Sequence, residues 1–325
     1  MESGACRTVS RHSFSFFHHP VKSYLVIPLA ILCFGLPGTA KTIFQKGGGF
    51  SPDERVLYKK AFGKKEKIAE ELHLEFFYPD GFAKTDSRPA IVFFFGGGWT
   101  GGATNQFYAQ SKYLASRGMV AVCAQYRRAL KNAKPVWCIE DARSSMRFLR
   151  QGAAKLGLDP KRIAAGGGSA GGHLAAAVAT ISAFDCKKDD HSVSAVPNAL
   201  ILFNPVFDNS PMGYGHDRLG EDYKKFSPID NLDGKQPPTI VFLGDRDKHL
   251  PVASAKRYEK TMKANGDICK TCIYEGKGHG FFNLHKNGRD SFVATMTETD
   301  QFLAGLGFLQ GKPQVESWLQ AEEKK

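Results

Sequence analysis

The 325-residue sequence predicts an α/β fold, a mostly parallel sheet with helices on both faces. Three observations lead there. Short apolar runs alternate with longer segments whose apolar residues recur at helical spacing. Several of the short runs are apolar throughout, as strands buried on both faces require. Only residues 185–198 and 207–236 form long irregular stretches.

The elements follow in order. "SPDERVLYKKAF" (Ser51–Phe62) is expected to form a short capped helix. "EELHLEFFYP" alternates as a strand, and "AIVFFFGGGW" is a buried strand stopped by three glycines. "TNQFYAQSKYLASRG" is a helix ending at Gly118, and "MVAVCAQY" a buried strand. "KPVWCIEDARSSMRFLRQGAAKLG" sets Val136, Ile139, Ala142, Met146, Leu149, Ala153 and Leu156 on one helical stripe. Strand "RIAAGG", helix "AGGHLAAAVATIS" and strands "NALILFNP" and "TIVFLGD" come next. Helix "PVASAKRYEKTMKANG", strand "KTCIYEG" and helix "RDSFVATMTETDQFLAGLG" complete the series.

The first 40 residues stand apart. Arg7, Arg11 and Lys22 precede the apolar run Tyr24–Leu36, and Gly38 and Ala40 supply small residues beyond it. This pattern predicts a secretory signal cleaved after Ala40, hence a secreted or periplasmic protein with one domain over 41–325. The apolar run is too short to span a bilayer, so no stable membrane insertion is expected after cleavage. Removing this segment lowers the net charge of +12 by two, to +10, since Glu2 leaves with the three cations. The remaining Lys and Arg are scattered and lack a nucleic-acid-binding motif, which reads as a solvated basic surface with no specific nucleic-acid partner.

Five cysteines remain, an odd and sparse set that describes no disulfide framework. Cys269 and Cys272 fall three apart in a strand, about 10 Å from each other and on opposite faces. They are expected to pack, without a bridge and without a metal.

The chemistry centres on "RIAAGGGSAGGHLAAAVAT". Gly167 to Gly171 reads G-x-S-x-G between a strand and a helix, the arrangement that lifts a serine out of a strained turn. The same letters satisfy G-x-G-x-x-G at Gly166, Gly168 and Gly171, with Asp185 or Asp189 as a ribose-binding acid. Three features favour the first reading. "FFFGGGW" ends an upstream strand in flexible backbone, whose amides would join that of Ala170 in holding an oxyanion. "GDRDKHL" sets Asp245 and Asp247 past a strand end, and "EGKGHGFFN" sets His279 past the next. Serine, aspartate and histidine in that order suit a hydrolase, with Ser169 as nucleophile. His279, flanked by glycines after the last strand, is preferred as base over His173, His216, His249 and His285.

With these motifs the chain resembles the α/β-hydrolase superfamily. The resemblance is to its esterase and lipase branch, which includes hormone-sensitive-lipase-like esterases and feruloyl and acetyl esterases of plant polysaccharides. It extends over roughly Phe50 to Leu309, and "SAGGHLAA", "AQYRRA" and "HGFF" share in it. The resemblance implies an α/β-hydrolase fold with a minimal cap, Asp247 as the acid (Gly, two residues, then Asp), and Gly97, Gly98 and Ala170 as oxyanion donors. It departs at Phe95, which stands where the family has a histidine that anchors the glycine loop. The implied activity is hydrolysis of small acyl esters, such as acetyl or aromatic acyl groups on carbohydrate, with no cofactor and no metal. A prolyl-oligopeptidase-like peptidase and a silent binding protein of the same fold are the alternatives. Trp99, Phe207, Leu250 and Phe281 are equally explained by packing or by a place in the pocket.

Overall fold

A computed structural model describes residues 49–62, 69–285 and 288–325. The expected signal segment lies outside them. Among the described residues eight strands form one sheet, in the order β1-β2-β4-β3-β5-β6-β7-β8. They are β1 (Glu54–Phe62), β2 (Ala69–Phe77), β3 (Arg88–Phe94), β4 (Val120–Ala124), β5 (Leu158–Gly168), β6 (Leu200–Phe203), β7 (Thr239–Gly244) and β8 (Cys269–Tyr274). β1 and β2 pair antiparallel, as do β2 and β4, and every later pairing is parallel. The helices are α1 (Tyr108–Ser116), α2 (Val136–Gln151), α3 (Ala170–Thr180), α4 (His216–Leu219), α5 (Val252–Ala264), α6 (Arg289–Gly305) and α7 (Val315–Glu323).

The strands sort their side chains by alternation. Ala90, Val92 and Phe94 face one core with Ile139, Met146, Leu174 and Tyr258, from α2, α3 and α5. Ile91 and Phe93 face the other, with Tyr113, Phe292, Met296 and Leu319 from α1, α6 and α7. Both faces are covered, so strands that read as continuous apolar runs are buried twice over. Among the described residues no helix is long and apolar enough to cross a membrane.

The helix expected over Ser51–Phe62 is instead the outer strand β1. Its residues are good helix formers, but partners elsewhere in the chain decide the matter. Asp53, within the expected first turn, spends its carboxylate on the Tyr78 amide (2.8 Å) and its own amide on the Phe76 carbonyl (2.8 Å). Tyr58 donates its hydroxyl to the Gln125 carbonyl at 2.6 Å, and Lys60 pairs with Glu71 across the strands at 2.7 Å. The stripe expected to run to Leu156 is helical only to Gln151, and a short 3-10 turn (Ala153–Lys155) follows Gly152.

Helix α7 has no counterpart among the sequence expectations. It packs Trp318 against Phe50, Tyr113 and Phe292, with ring centroids 5.8, 5.4 and 6.4 Å apart. All five remaining cysteines are free, with Cys269 buried and Cys272 partly so.

Candidate active site

Strand β5 runs into Ser169, whose φ of 56° and ψ of −122° lie where only glycine is comfortable. The next residue already opens α3. A turn this abrupt presses helix and sheet together: a Cβ on Gly171 would lie 2.0 Å from the Phe94 carbonyl oxygen. Only glycine fits there. The Ser169 amide donates to the Phe203 carbonyl at 3.0 Å, which ties the turn to the end of β6.

Strand β7 ends in the turn that carries both candidate acids. Asp245 accepts the Gly276 amide at 2.7 Å and so serves the loop. Asp247 turns its Oδ2 to Nδ1 of His279 at 2.8 Å, while its Oδ1 accepts the amides of His249 (2.8 Å) and Leu250 (3.2 Å). Its side chain is fully buried, whereas that of His279 keeps 29% of its surface in solvent. Burial opposes ionisation of Asp247, but the imidazole and the two amides outweigh it and hold the carboxyl below its ordinary range. An ionised Asp247 requires a proton on Nδ1 of His279, leaving the Nε2 lone pair for Ser169. Nε2 lies 2.9 Å from Ser169 Oγ.

Opposite this chain of hydrogen bonds lies the glycine loop. The Gly97 carbonyl accepts the amides of Gly101 (2.9 Å) and Thr100 (3.2 Å). In a planar trans peptide the N–H points away from the C=O, so the Gly98 N–H turns away from the Thr100 and Gly101 amides, and Gly98 lines the cavity described below. Gly97 has φ 124°, which favours glycine. Neither the Gly97 nor the Gly98 amide has an acceptor among the described residues. Ala170 opens α3, where an N–H has no acceptor within its own helix. Among the described residues three amides are thus without an acceptor near one serine.

Phe95 lacks the family's anchoring side chain, and the loop is held by other means. Tyr126 donates its hydroxyl to the Phe95 carbonyl (2.7 Å) and stacks on its ring at 4.1 Å. The Gly96 amide donates to Gln106 Oε1 (2.7 Å), and Arg218 donates to the Gly98 carbonyl (2.7 Å).

Ser169, His279, Gly97 and Gly98 share a cavity of about 290 Å³. Its wall also includes His249, a rival base in the sequence, and Gln106, Asn204, Tyr214 and Asn283, which did not stand out there. Asn204 had a signal in its place just past β6, and His249 in its place two residues after Asp247. Tyr214 sits in the irregular 207–236 stretch and had none. Trp99, Phe207, Leu250 and Phe281 are buried and lie outside this wall. His173, the rival base nearest in sequence, is buried, with its Nε2 at the Phe226 carbonyl (2.8 Å). Asp185 and Asp189, the acids of the dinucleotide reading, are both engaged by Arg147.

Fold and site together define a hydrolase of the elbow type, and the comparisons with known proteins agree: the chain belongs to the α/β-hydrolase superfamily, within an esterase family. A family profile described as BD-FAE matches residues 74–212. Esterase 2 of Thermogutta terrifontis, in a structure phosphorylated by paraoxon, is 39% identical, with a TM-score of 0.73 over 80% of this chain and 96% of that one. Esterase LipC of Mycobacterium tuberculosis is 28% identical over 61% of this chain and 54% of its own length. An acetylxylan esterase of Xylanibacter ruminicola is 26% identical over 60% of this chain and 41% of its own. The chain spans about half the length of the curated relatives it matches.

Proposed function

We propose that the protein hydrolyses carboxylic esters through an acyl-enzyme on Ser169. One observation carries the proposal: a continuous hydrogen-bonded chain from Asp247 through His279 to Ser169 shares its cavity with amides that have no other acceptor among the described residues. Ser169 Oγ attacks the ester carbonyl while His279 Nε2 takes its proton, and the carbonyl π pair moves onto oxygen. The amides of Gly97, Gly98 and Ala170 receive that oxyanion. On collapse the C–O bond breaks, and His279 returns the proton to the leaving alcohol. Water then repeats the cycle on the acyl group. Asp247 keeps the imidazole in the productive tautomer and stabilises its cationic form.

For the substrate we propose a small acyl group on a polar alcohol such as a sugar. The cavity is small and its added wall residues are mostly polar, which suits hydroxyl-bearing alcohols better than long acyl chains. A likeness to an acetylxylan esterase and to an esterase 2 structure with propionate bound points the same way. Export follows from the amino-terminal pattern, and amino-terminal sequencing of the secreted protein should begin at Lys41.

The test is a panel of p-nitrophenyl esters from acetate to decanoate beside acetylated and feruloylated glycans. Wild type should favour the short acyl groups, and Ser169→Ala should abolish turnover and labelling by a fluorophosphonate. Full hydrolysis by that variant would refute the mechanism. Faster cleavage of a prolyl amide than of an ester would favour the peptidase reading.

A further inference from the structure

We infer that Tyr214, supplied by the segment between β6 and β7, is a fourth oxyanion donor of the esterase site. The inference rests on the acyl-enzyme reading above. Tyr214 lines the cavity with Ser169, Gly97 and Gly98. Its hydroxyl lies 3.1 Å from where a Cβ on Gly98 would stand, so the phenol tip reaches the edge of the glycine loop. No hydrogen-bond partner engages that hydroxyl among the described residues, whereas Tyr108 and Tyr126 both donate theirs.

The position is held rather than incidental. The Tyr214 carbonyl accepts Asn209 Nδ2 at 2.8 Å, and its amide donates to the Asp208 carbonyl at 3.1 Å. Its ring packs against Trp99 (centroids 5.8 Å apart) and meets His249 edge-on (5.7 Å). Arg218, from the same segment, donates to the Gly98 carbonyl and crosses the Trp99 face at 5.6 Å. Two residues of one segment therefore flank Gly98, one holding its peptide and the other presenting a free O–H. Preorganised donors of this kind act on charge as it develops, and they require no reorganisation at the moment of reaction. The phenol donates a hydrogen bond to the oxyanion and keeps its proton.

Tyr214→Phe removes the donor and leaves the aromatic packing in place. On p-nitrophenyl acetate, kcat should fall about 10- to 100-fold with KM changed less than twofold, the pattern of an interaction made only in the transition state. Phosphorylation of Ser169 by paraoxon should slow in parallel, because that attack also builds charge on oxygen. An unchanged kcat would overturn the inference, and so would a raised KM at constant kcat, which would make Tyr214 a ground-state contact to the alcohol. A thermal melt of the variant guards against misfolding, and Tyr214→Trp, which restores an N–H donor but not its place, should not rescue the rate. Loss of all activity in Ser169→Ala tests the underlying reading separately: an active Ser169→Ala would sink that reading, whatever Tyr214→Phe does.

Discussion

Trp99 donates its indole N–H to Nδ1 of His173 at 3.1 Å, which joins the glycine loop to the helix that follows Ser169. The donation fixes the imidazole with its proton on Nε2, where it meets the Phe226 carbonyl. Trp99 itself holds a left-handed φ of 63°, strained for a large residue, and this buried bond helps hold it there.

That bond requires a neutral His173, and burial lowers its pKa from 6.5 to about 4. The unfolded chain takes up the proton first, so the stabilisation is complete above pH 6.5 and drains away as pH falls towards 4. The loss should reach about 2 kcal/mol by pH 5. Denaturant unfolding at pH 7 and pH 5 should show a larger drop for wild type than for His173→Gln, whose amide replaces the imidazole without titrating. Equal drops would remove His173 from the account.

Asp247→Asn should preserve the fold and nearly silence turnover. An amide oxygen still accepts the His249 and Leu250 amides, though more weakly than a carboxylate. Its NH2 then faces Nδ1 of His279 and drives the proton to Nε2, where it blocks Ser169. The expected fall in kcat is on the order of 10⁴-fold. An effect under tenfold would hand the role to another acid. Asp245→Asn supplies the control, since Asp245 serves only the Gly276 amide, and its rate should stay within about threefold of wild type.

Gly171→Ala tests the close approach beneath Ser169. The added methyl meets the Phe94 carbonyl at 2.0 Å, a backbone atom that cannot swing aside. The cost should be at least about 3 kcal/mol, read as a lowered denaturation midpoint or as loss of soluble protein. Gly305→Ala, whose added Cβ meets nothing within 4 Å, should change stability little.

Sequence alone disclosed the parallel core of the sheet and the members of the hydrogen-bonded trio, because both write themselves into local patterns. A doubly buried strand is apolar throughout, and an elbow needs glycines at fixed offsets. β1 escaped because Glu54–Phe62 has helix-forming residues whose partners, at Phe76, Tyr78 and Gln125, lie far along the chain. The polar wall of the cavity escaped for a related reason. Gln106 and Asn283 meet through a 3.2 Å hydrogen bond across 177 positions, and no spacing rule links them. The Phe95 departure pointed to a missing anchor, but the structure shows three substitutes, from Tyr126, Gln106 and Arg218.

The contact between Phe50 and Trp318 brings the first and last described segments into one aromatic cluster, remote in sequence from every reacting group. The described part of the chain is therefore close to a ring. A short peptide bridging these segments, with a new opening cut in an exposed turn such as that at Gly81, would give a circular permutant whose Ser169, Asp247 and His279 hang from the same strand ends as before.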